Sequence, residues 1–155
     1  MPIEKDIKQF NFKTPYNKLT INLMYTSGWL TNQYAKIIRP YNITEQQYQV
    51  LRILQECYPN AATVNYIIEG MIDKMSNASR LVDKLIAKEL VIKVKSSSDM
   101  RSVDVLLTDK GLSLLDELNT QICISQEYFL GLDEDELNSL NNLIDILRKN
   151  QNKTT

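Results

Sequence analysis

Apolar residues recur along this 155-residue chain with two different periods. Steps of three and four residues predict helices over 17–38, 45–56, 64–71, 76–90, 109–130 and 133–149. Strict alternation over 91–95 and 103–107 predicts two strands joined by a polar loop. The ends, 1–16 and 150–155, show no clear period and are expected to form an extended arm and a polar tail.

Cap residues mark where the helices begin, because a side-chain oxygen can accept a hydrogen bond from the free N–H groups of the first turn. Thr44 and Gln47 have the spacing of a capping box, in which each side chain bonds the other residue's backbone. Pro40 is expected to end the first helix, since the residue before a proline avoids the helical region. The other expected caps are Thr63, Ser76, Thr108 and Asp133.

A helix-turn-helix followed directly by a hairpin is the outline of a winged helix-turn-helix. On the first strand, Lys93 and Lys95 share one face and Ile92 and Val94 the other, as is typical of a half-buried strand. The predicted fold class is therefore mostly α with a small β-hairpin wing. It is a winged helix-turn-helix flanked by N- and C-terminal dimerisation helices.

The outer helices carry more apolar surface than so small a domain can bury alone, so a homodimer is expected. Residues expected in the dimer interface are Leu19, Leu23, Leu118, Ile122, Leu137, Leu140, Ile144 and Leu147. Within one structural domain overall, we expect an arm and dimerisation helix (1–42), a DNA-binding region (43–108), C-terminal dimerisation helices (109–150) and a polar tail (151–155).

The formal net charge of −1 conceals a gradient along the chain. Residues 71–110 carry eight basic and six acidic groups, a net charge of +2. Residues 111–150 carry two basic and eight acidic groups, a net charge of −6. A cationic middle segment suits contact with DNA, and the acidic C-terminal segment is expected to face elsewhere.

Composition argues against several other classes of protein. The chain has no histidine and no C-x-x-C, so we expect no metal site, no cofactor and no enzymatic activity. Cys57 and Cys123 are interpreted as small core residues, with a redox sensor as the alternative. No signal-peptide pattern and no run of about 18 apolar residues occurs, which predicts a cytoplasmic protein.

Three motifs, in order and suitably spaced, resemble those of the MarR-type transcriptional regulators. They are Ile43-Thr44-x-x-Gln47-x-x-Val50-Leu51, Ser76-x-x-Ser79-Arg80-Leu81-Val82-Asp83-x-Leu85 and Asp99-x-Arg101-x-x-x-Val105-x-Leu107-Thr108-x-x-Gly111. The resemblance covers 43–111 in pattern and the outer helices in layout. It implies a bacterial homodimer on pseudo-palindromic duplex DNA, in many members a repressor released by small anionic or phenolic ligands.

The resemblance also implies roles for individual residues. The start of the fourth helix would enter the major groove, and its residues there are Ser76, Asn77, Ala78, Ser79 and Arg80. Asn77 is the best candidate for a base hydrogen bond. Arg101 would reach a minor groove from the wing, with Asp99 holding it in place. Residues assigned to phosphates are Asn65, Lys84, Lys93 and Lys95.

Structural explanations compete with these DNA-binding roles. Arg80 could pair with Asp83 on a solvated helix face, and Arg101 could pair with Asp99 or Asp104. The lysines of the first strand could form only its solvent side. The alternative function is a dimeric winged-helix protein-interaction module without operator binding, because fold alone does not settle function.

Two further features leave alternatives open. A ligand crevice, or else ordinary core, could be formed by the aromatic residues Tyr25, Trp29, Tyr34 and Tyr48.

Glu89 stands where the MarR-type proteins usually have glycine, just after the fourth helix, which is their recognition helix. A left-handed backbone there costs a non-glycine residue about 1 kcal/mol, so the helix is expected to end differently and tilt the wing.

Overall fold

The computed structural model of the protein describes residues 2–8, 11–95 and 103–149, without the side chains of 127–129. Its α-helices are α1 (Ile3–Asp6), α2 (Pro15–Ile38), α3 (Glu45–Cys57), α4 (Val64–Gly70), α5 (Ala78–Ile86), α6 (Asp109–Leu130) and α7 (Glu134–Lys149), and a short 3-10 helix, Arg39–Tyr41, follows α2. Strands β1 (Val91–Lys95) and β2 (Val103–Leu107) form one antiparallel hairpin. The predicted class, mostly helical with a hairpin wing, is confirmed.

The N-terminal segment differs from the predicted extended arm. Ile3–Asp6 forms one helical turn, and Ile3 is buried. An ion pair of 2.5 Å joins Glu4 to Lys18 of α2, and this contact lowers the pKa of Glu4. α2 begins two residues earlier than predicted, because Thr14 accepts a hydrogen bond from the Asn17 N–H (3.1 Å). A four-residue helix is too short to leave a period in the sequence.

Most of the predicted caps are confirmed. The Thr44 hydroxyl accepts from the Gln47 N–H (3.2 Å), and the Gln47 side chain accepts from the Thr44 N–H (3.0 Å). Thr63 accepts from the Tyr66 N–H at 3.1 Å. Asp133 accepts from the backbone of Glu136 (2.9 Å), whose own carboxylate accepts from the Asp133 N–H (3.1 Å). Both ends of each capping box are therefore satisfied.

The core of the winged module forms around α3, which contacts α4, α5 and β2. The residues of α3 that its period turns inward are buried, namely Val50, Leu51 and Leu54. On α5 the expected buried face was Leu81, Val82, Leu85 and Ile86; the first three are buried and Ile86 is half-buried. Ala62 adds a single-residue bridge to the hairpin, exchanging two hydrogen bonds with Val105 (2.8 and 2.9 Å). The sequence does not reveal this bridge, because one residue carries no strand period.

On β1 only the first residue is buried, whereas the alternation suggested burial of the face that carries Ile92 and Val94. Val91 is fully buried, whereas Ile92 is 45% exposed and Val94 is half-buried. Val91 pairs with Leu107 in the register, and Lys95 pairs with Val103. Lys93 and Lys95 lie on the same face as Val91 and are exposed, so only the first residue of that face is buried.

Glu89 does adopt the left-handed conformation, with φ of 61°, so the expected alternative helix end is wrong. The Leu90 N–H donates to the Leu85 carbonyl (3.1 Å) and the Glu89 N–H donates to that of Ile86 (2.8 Å). This pair of bonds is a Schellman motif, which usually has glycine at the left-handed position. The Glu89 carboxylate pairs with Lys110 (2.8 Å), which ties the end of α5 to the start of α6.

Thr108 joins the hairpin to α6. Its hydroxyl donates to the Glu89 carbonyl (2.8 Å) and accepts from the Gly111 N–H (3.0 Å), which confirms the predicted cap. A Cβ at Gly111 would lie 2.2 Å from the Leu90 carbonyl oxygen. The Thr108-x-x-Gly111 motif therefore reflects close packing of the helix start against the turn after α5.

The chain divides into two compact units, Met1–Asn119 and Thr120–Thr155. The second unit contains the end of α6 and all of α7, and α7 has no buried residue. Leu118 and Ile122, expected in a dimer interface, are instead buried within the single chain, so they are core residues. Among the described residues, no helix is long and apolar enough to cross a membrane.

Candidate nucleic-acid interface

The turn between α4 and α5 fixes where the exposed helix begins. Asp73 accepts from the Met75 N–H (2.9 Å) and from the Ser76 hydroxyl (3.3 Å). The Ser76 hydroxyl also accepts from the Gln46 amide of α3 (3.2 Å). Ser76 is therefore not the helix cap, and this prediction is wrong. Asn77 caps α5, since its Oδ1 accepts from the Arg80 N–H (3.0 Å).

Three of the five residues predicted at the major-groove end are exposed. They are Asn77, Ser79 and Arg80, whereas Ser76 is half-buried. Ala78 is only 2% exposed, so its side chain belongs to the core and is not available to a groove. Since the Asn77 oxygen is used in the cap, its NH₂ group is the part of the side chain left to meet a base.

Arg80 and Lys84 are exposed and stand four residues apart on α5, which places them on one helix face. Neither forms an ion pair with any residue that the structure describes. Asp83, considered above as the partner of Arg80, instead pairs with Lys93 of β1 (2.8 Å). The face of Arg80 and Lys84 thus carries two cations that no described carboxylate neutralises.

The other predicted DNA-binding residues have more varied surroundings. Asn65 on α4 and Lys95 at the end of β1 are exposed. Lys93 is exposed as well, but its charge is partly balanced by Asp83. Asp99 and Arg101, predicted at the tip of the wing, lie outside the described residues.

The aromatic residues proposed for a ligand crevice have mixed environments. Tyr48 is buried and its hydroxyl donates to Asn119 (2.8 Å); burial raises the pKa of this hydroxyl. Trp29 and Tyr34 are half-buried, and Tyr25 is exposed. Three cavities of about 330 to 470 Å³ are lined by described residues, and none of these three involves the four aromatics. The crevice stays a prediction.

The two cysteines are free. Cys57 is half-buried, and a hydrogen bond between its thiol and the Tyr66 hydroxyl raises the pKa of Tyr66. Cys123 is exposed, so its interpretation as a core residue is wrong. Within the described part of the chain, no group of three or more His, Cys, Asp or Glu could hold a metal ion.

The helix-turn-helix, the hairpin and the cationic face of α5 together define a winged-helix transcriptional regulator. Residues 32–118 match the family model described as "Transcriptional regulator SarA/Rot". That match covers more than half of the chain. The protein belongs to the SarA/Rot family of transcriptional regulators, whose winged helix is of the MarR type.

Individual relatives agree with this assignment. The homoprotocatechuate degradative operon repressor of Escherichia coli is 27% identical over 107 residues, 69% of this chain and 71% of the repressor. A MarR-like transcription regulator from Bacillus cereus superposes with a TM-score of 0.76 at 22% identity, covering 86% of this chain and 96% of that one. The MepR protein of S. aureus, solved with DNA, superposes with a TM-score of 0.73 at 18% identity. The match covers 88% of this chain and 99% of the MepR chain. The family, the Escherichia coli relative and the Bacillus cereus protein are all described as transcriptional regulators or repressors.

Proposed function

We propose that this protein is a homodimeric repressor that binds a pseudo-palindromic operator duplex through α5 and the hairpin. The observation that carries the proposal is the exposed pair Arg80 and Lys84, one turn apart and without a described carboxylate partner. A DNA-binding helix needs uncompensated cations at such positions because phosphate contacts supply most of the affinity. MepR, which shares the fold, was solved as a complex with DNA.

The residues divide into those that read bases and those that position the protein. The start of α5 would enter the major groove, where the Asn77 NH₂ group, the Ser79 hydroxyl and the Arg80 guanidinium are exposed. Phosphates would be bound by Lys84, Lys93, Lys95 and Asn65. The wing residues Arg101 and Asp99 keep their proposed minor-groove role.

Dimerisation is supported by apolar side chains that the single chain leaves uncovered. α2 is 24 residues long and buries only Ile38, and α7 buries none of its residues. Large apolar side chains on these helices are more than one third exposed at Leu19, Leu140, Leu143, Ile146 and Leu147. Leu23, Leu137 and Ile144 are half-buried. An interface between copies would bury them, so 1–42 and 109–150 remain the proposed dimerisation regions around a DNA-binding region, 43–108.

The repressor role rests on a named relative, and the small effector rests on a structural neighbour, CouR from Rhodococcus jostii, which was solved with p-coumaroyl-CoA bound. The Escherichia coli relative is named as an operon repressor. An effector bound near Tyr25, Trp29, Tyr34 and Tyr48 would lie beside α2, within a proposed dimerisation region, and could change the spacing of two recognition helices. A regulator with this role would act in the cytoplasm, where its operator lies.

The test is a fluorescence-anisotropy titration of the full chain with a duplex from upstream of its own gene and a shuffled duplex, at 50 and 200 mM salt. If the dimer contacts about 6–10 phosphates, affinity falls about 10³–10⁵-fold between these concentrations. A preference for the native duplex supports operator binding. Equal, weak binding to both duplexes would favour the protein-interaction module instead.

A further inference from the structure

A cavity of about 450 Å³ lies between the junction of α2 with α3 and the C-terminal half of α5. We call it the cationic cavity, since Arg39, Lys84 and Lys88 line it. The described residues that line it include no aspartate or glutamate. Three cations around one concavity, without an anion among them, create a local positive potential that attracts an oxyanion.

Lys88 is held in place by uncharged partners. Its ammonium group donates to the backbone carbonyl of Asn42 and to Oε1 of Gln47 (3.3 Å). Gln47 is buried and is itself fixed, because the same oxygen accepts from the Thr44 N–H (3.0 Å). Neutral acceptors leave the lysine charge uncancelled, and an ammonium has a third N–H to offer. The cation is therefore positioned before any ligand arrives.

Neighbouring carboxylates are engaged elsewhere. Asp83 precedes Lys84 in the sequence but pairs with Lys93 of β1 (2.8 Å). Glu45 follows Thr44 but accepts from the Gln49 side chain (3.5 Å). Glu89 follows Lys88 but pairs with Lys110 (2.8 Å). None of these three carboxylates lines the cationic cavity. The positive charge of the cavity is consequently not cancelled by the acidic residues adjacent to it in the sequence.

We infer that the cationic cavity binds a phosphate-type oxyanion through Arg39, Lys84 and Lys88. The inference rests on the proposed function, because Lys84 stands one turn from Arg80 and so connects the cavity to the proposed DNA surface. The oxyanion is either a backbone phosphate of the bound duplex or that of a free phosphorylated small molecule. A free anion would compete with DNA for Lys84 and so weaken operator binding.

The experiment compares the wild type with Arg39→Gln and with Lys36→Gln. Lys36 is an exposed lysine on α2 whose side chain bonds Gln33, and it matches the charge change outside the cavity. In the first arm, inorganic pyrophosphate is titrated at constant ionic strength while the amide signals of Thr44 and Ala87 are followed by NMR. In the second, duplex affinity is measured against salt concentration.

If the source is a free anion, pyrophosphate shifts both amide signals saturably, and Arg39→Gln weakens this binding about tenfold or more. If the source is the DNA backbone, Arg39→Gln lowers duplex affinity and reduces the slope of log K against log salt by about 0.9 for each protomer. Lys36→Gln behaves as the wild type in both arms. Either result supports the inference and identifies the source of the oxyanion.

An Arg39→Gln protein that matches the wild type in both arms overturns the inference. That result leaves the proposed function intact if Arg80→Gln still weakens duplex binding. The opposite outcome is also possible to recognise. If the wild type binds no duplex, the proposed function is contradicted. If Arg39→Gln nevertheless loses the pyrophosphate binding of the wild type, the anion site is retained. Circular dichroism melting of each variant shows whether it is folded.

Discussion

Asp83 on α5 and Lys93 on β1 form an ion pair of 2.8 Å that joins the recognition helix to the wing strand. Both side chains are about half exposed, so the pair contributes at most about 1 kcal/mol to stability. Its larger effect is electrostatic. Asp83 places a negative charge beside Lys93, a proposed phosphate contact, and thereby weakens non-specific attraction to DNA.

Replacing Asp83 with asparagine should therefore strengthen duplex binding by about two- to fivefold at low salt and raise its salt dependence. The melting temperature should change little. Anisotropy titrations check the first point and thermal denaturation the second. Asp145→Asn is the matched control, because it breaks another exposed ion pair, with Arg148 on α7. Unchanged or weaker DNA binding by Asp83→Asn would refute the proposed position of Lys93 at the duplex.

The double use of Asn77 allows its two roles to be separated. Asn77→Ala should lower the free energy of unfolding by about 1 kcal/mol, because the cap on the Arg80 N–H is lost. Asn77→Ser should keep the cap while removing the NH₂ donor. We expect the serine variant to retain stability yet to lose about 1–3 kcal/mol of discrimination at one base pair of each half-site. Undiminished base preference in Asn77→Ser would exclude a base contact by this residue.

Glu89→Gly should stabilise the protein by about 1 kcal/mol, since glycine adopts the left-handed conformation without the cost borne by other residues. Urea denaturation measures the change. Glu89→Gln, which keeps the side-chain size and the backbone cost, separates the loss of the Lys110 contact from relief of strain. A destabilised glycine variant would mean that this contact outweighs the backbone preference.

The same glutamate makes stability depend on pH. The hydrogen bond from Lys110 lowers the pKa of Glu89 in the folded protein. Its contribution is therefore present above the unfolded pKa, near 4.3, and is lost as pH falls through the lower folded value. Wild type should melt above Glu89→Gln at pH 7, and the difference should close as pH falls below about 4. A gap that persists at pH 2.5 would contradict this origin.

Two glycines give opposite expectations for substitution by alanine. Gly111→Ala places a Cβ 2.2 Å from the Leu90 carbonyl oxygen, so it should destabilise the protein by about 3 kcal/mol or more. Gly28 lies inside α2, and a Cβ added there would meet no atom within 4 Å beyond its own stretch of helix backbone. Gly28→Ala should stabilise by about 0.5–1 kcal/mol, because alanine favours helix. Equal effects at both positions would invalidate the close approach at Gly111.

The proposed dimer predicts a concentration-dependent assembly. Ile144→Asp should dissociate the protein into monomers, because it places a charge in an apolar stripe that the single chain leaves uncovered. Sedimentation equilibrium measures the molecular mass, with Asn142→Asp as the control on the exposed polar face of α7. A stable dimer in Ile144→Asp would place the interface away from α7.

The sequence predicts helix and strand limits well wherever caps and periods are local. Thr44 with Gln47, and Thr108 with Gly111, are each only three residues apart, so their bonds can be inferred from spacing. Ser76 shows where this reasoning ends. It has the residue type of a cap, but Gln46, 30 residues away in the sequence, bonds its hydroxyl. The helix then begins one residue later, with Asn77 as its cap.

Predictions about the site show the same division between local and distant contacts. The exposed cations Arg80 and Lys84 follow from helical periodicity alone. The burial of Ala78 and the pairing of Asp83 with Lys93 depend on how α5 packs against other elements. The expectation for Leu118 and Ile122 was wrong because periodicity identifies an apolar stripe but not what covers it.

The most direct test of α5 as the DNA-reading element is the ratio of affinities for the native and shuffled duplexes, measured for wild type and Arg80→Gln at one salt concentration. We predict that Arg80→Gln reduces this ratio about tenfold or more while the protein remains folded, because the guanidinium contacts a base edge at the helix start. An unchanged ratio and unchanged affinities would contradict the account, since the exposed face of α5 would then not meet DNA.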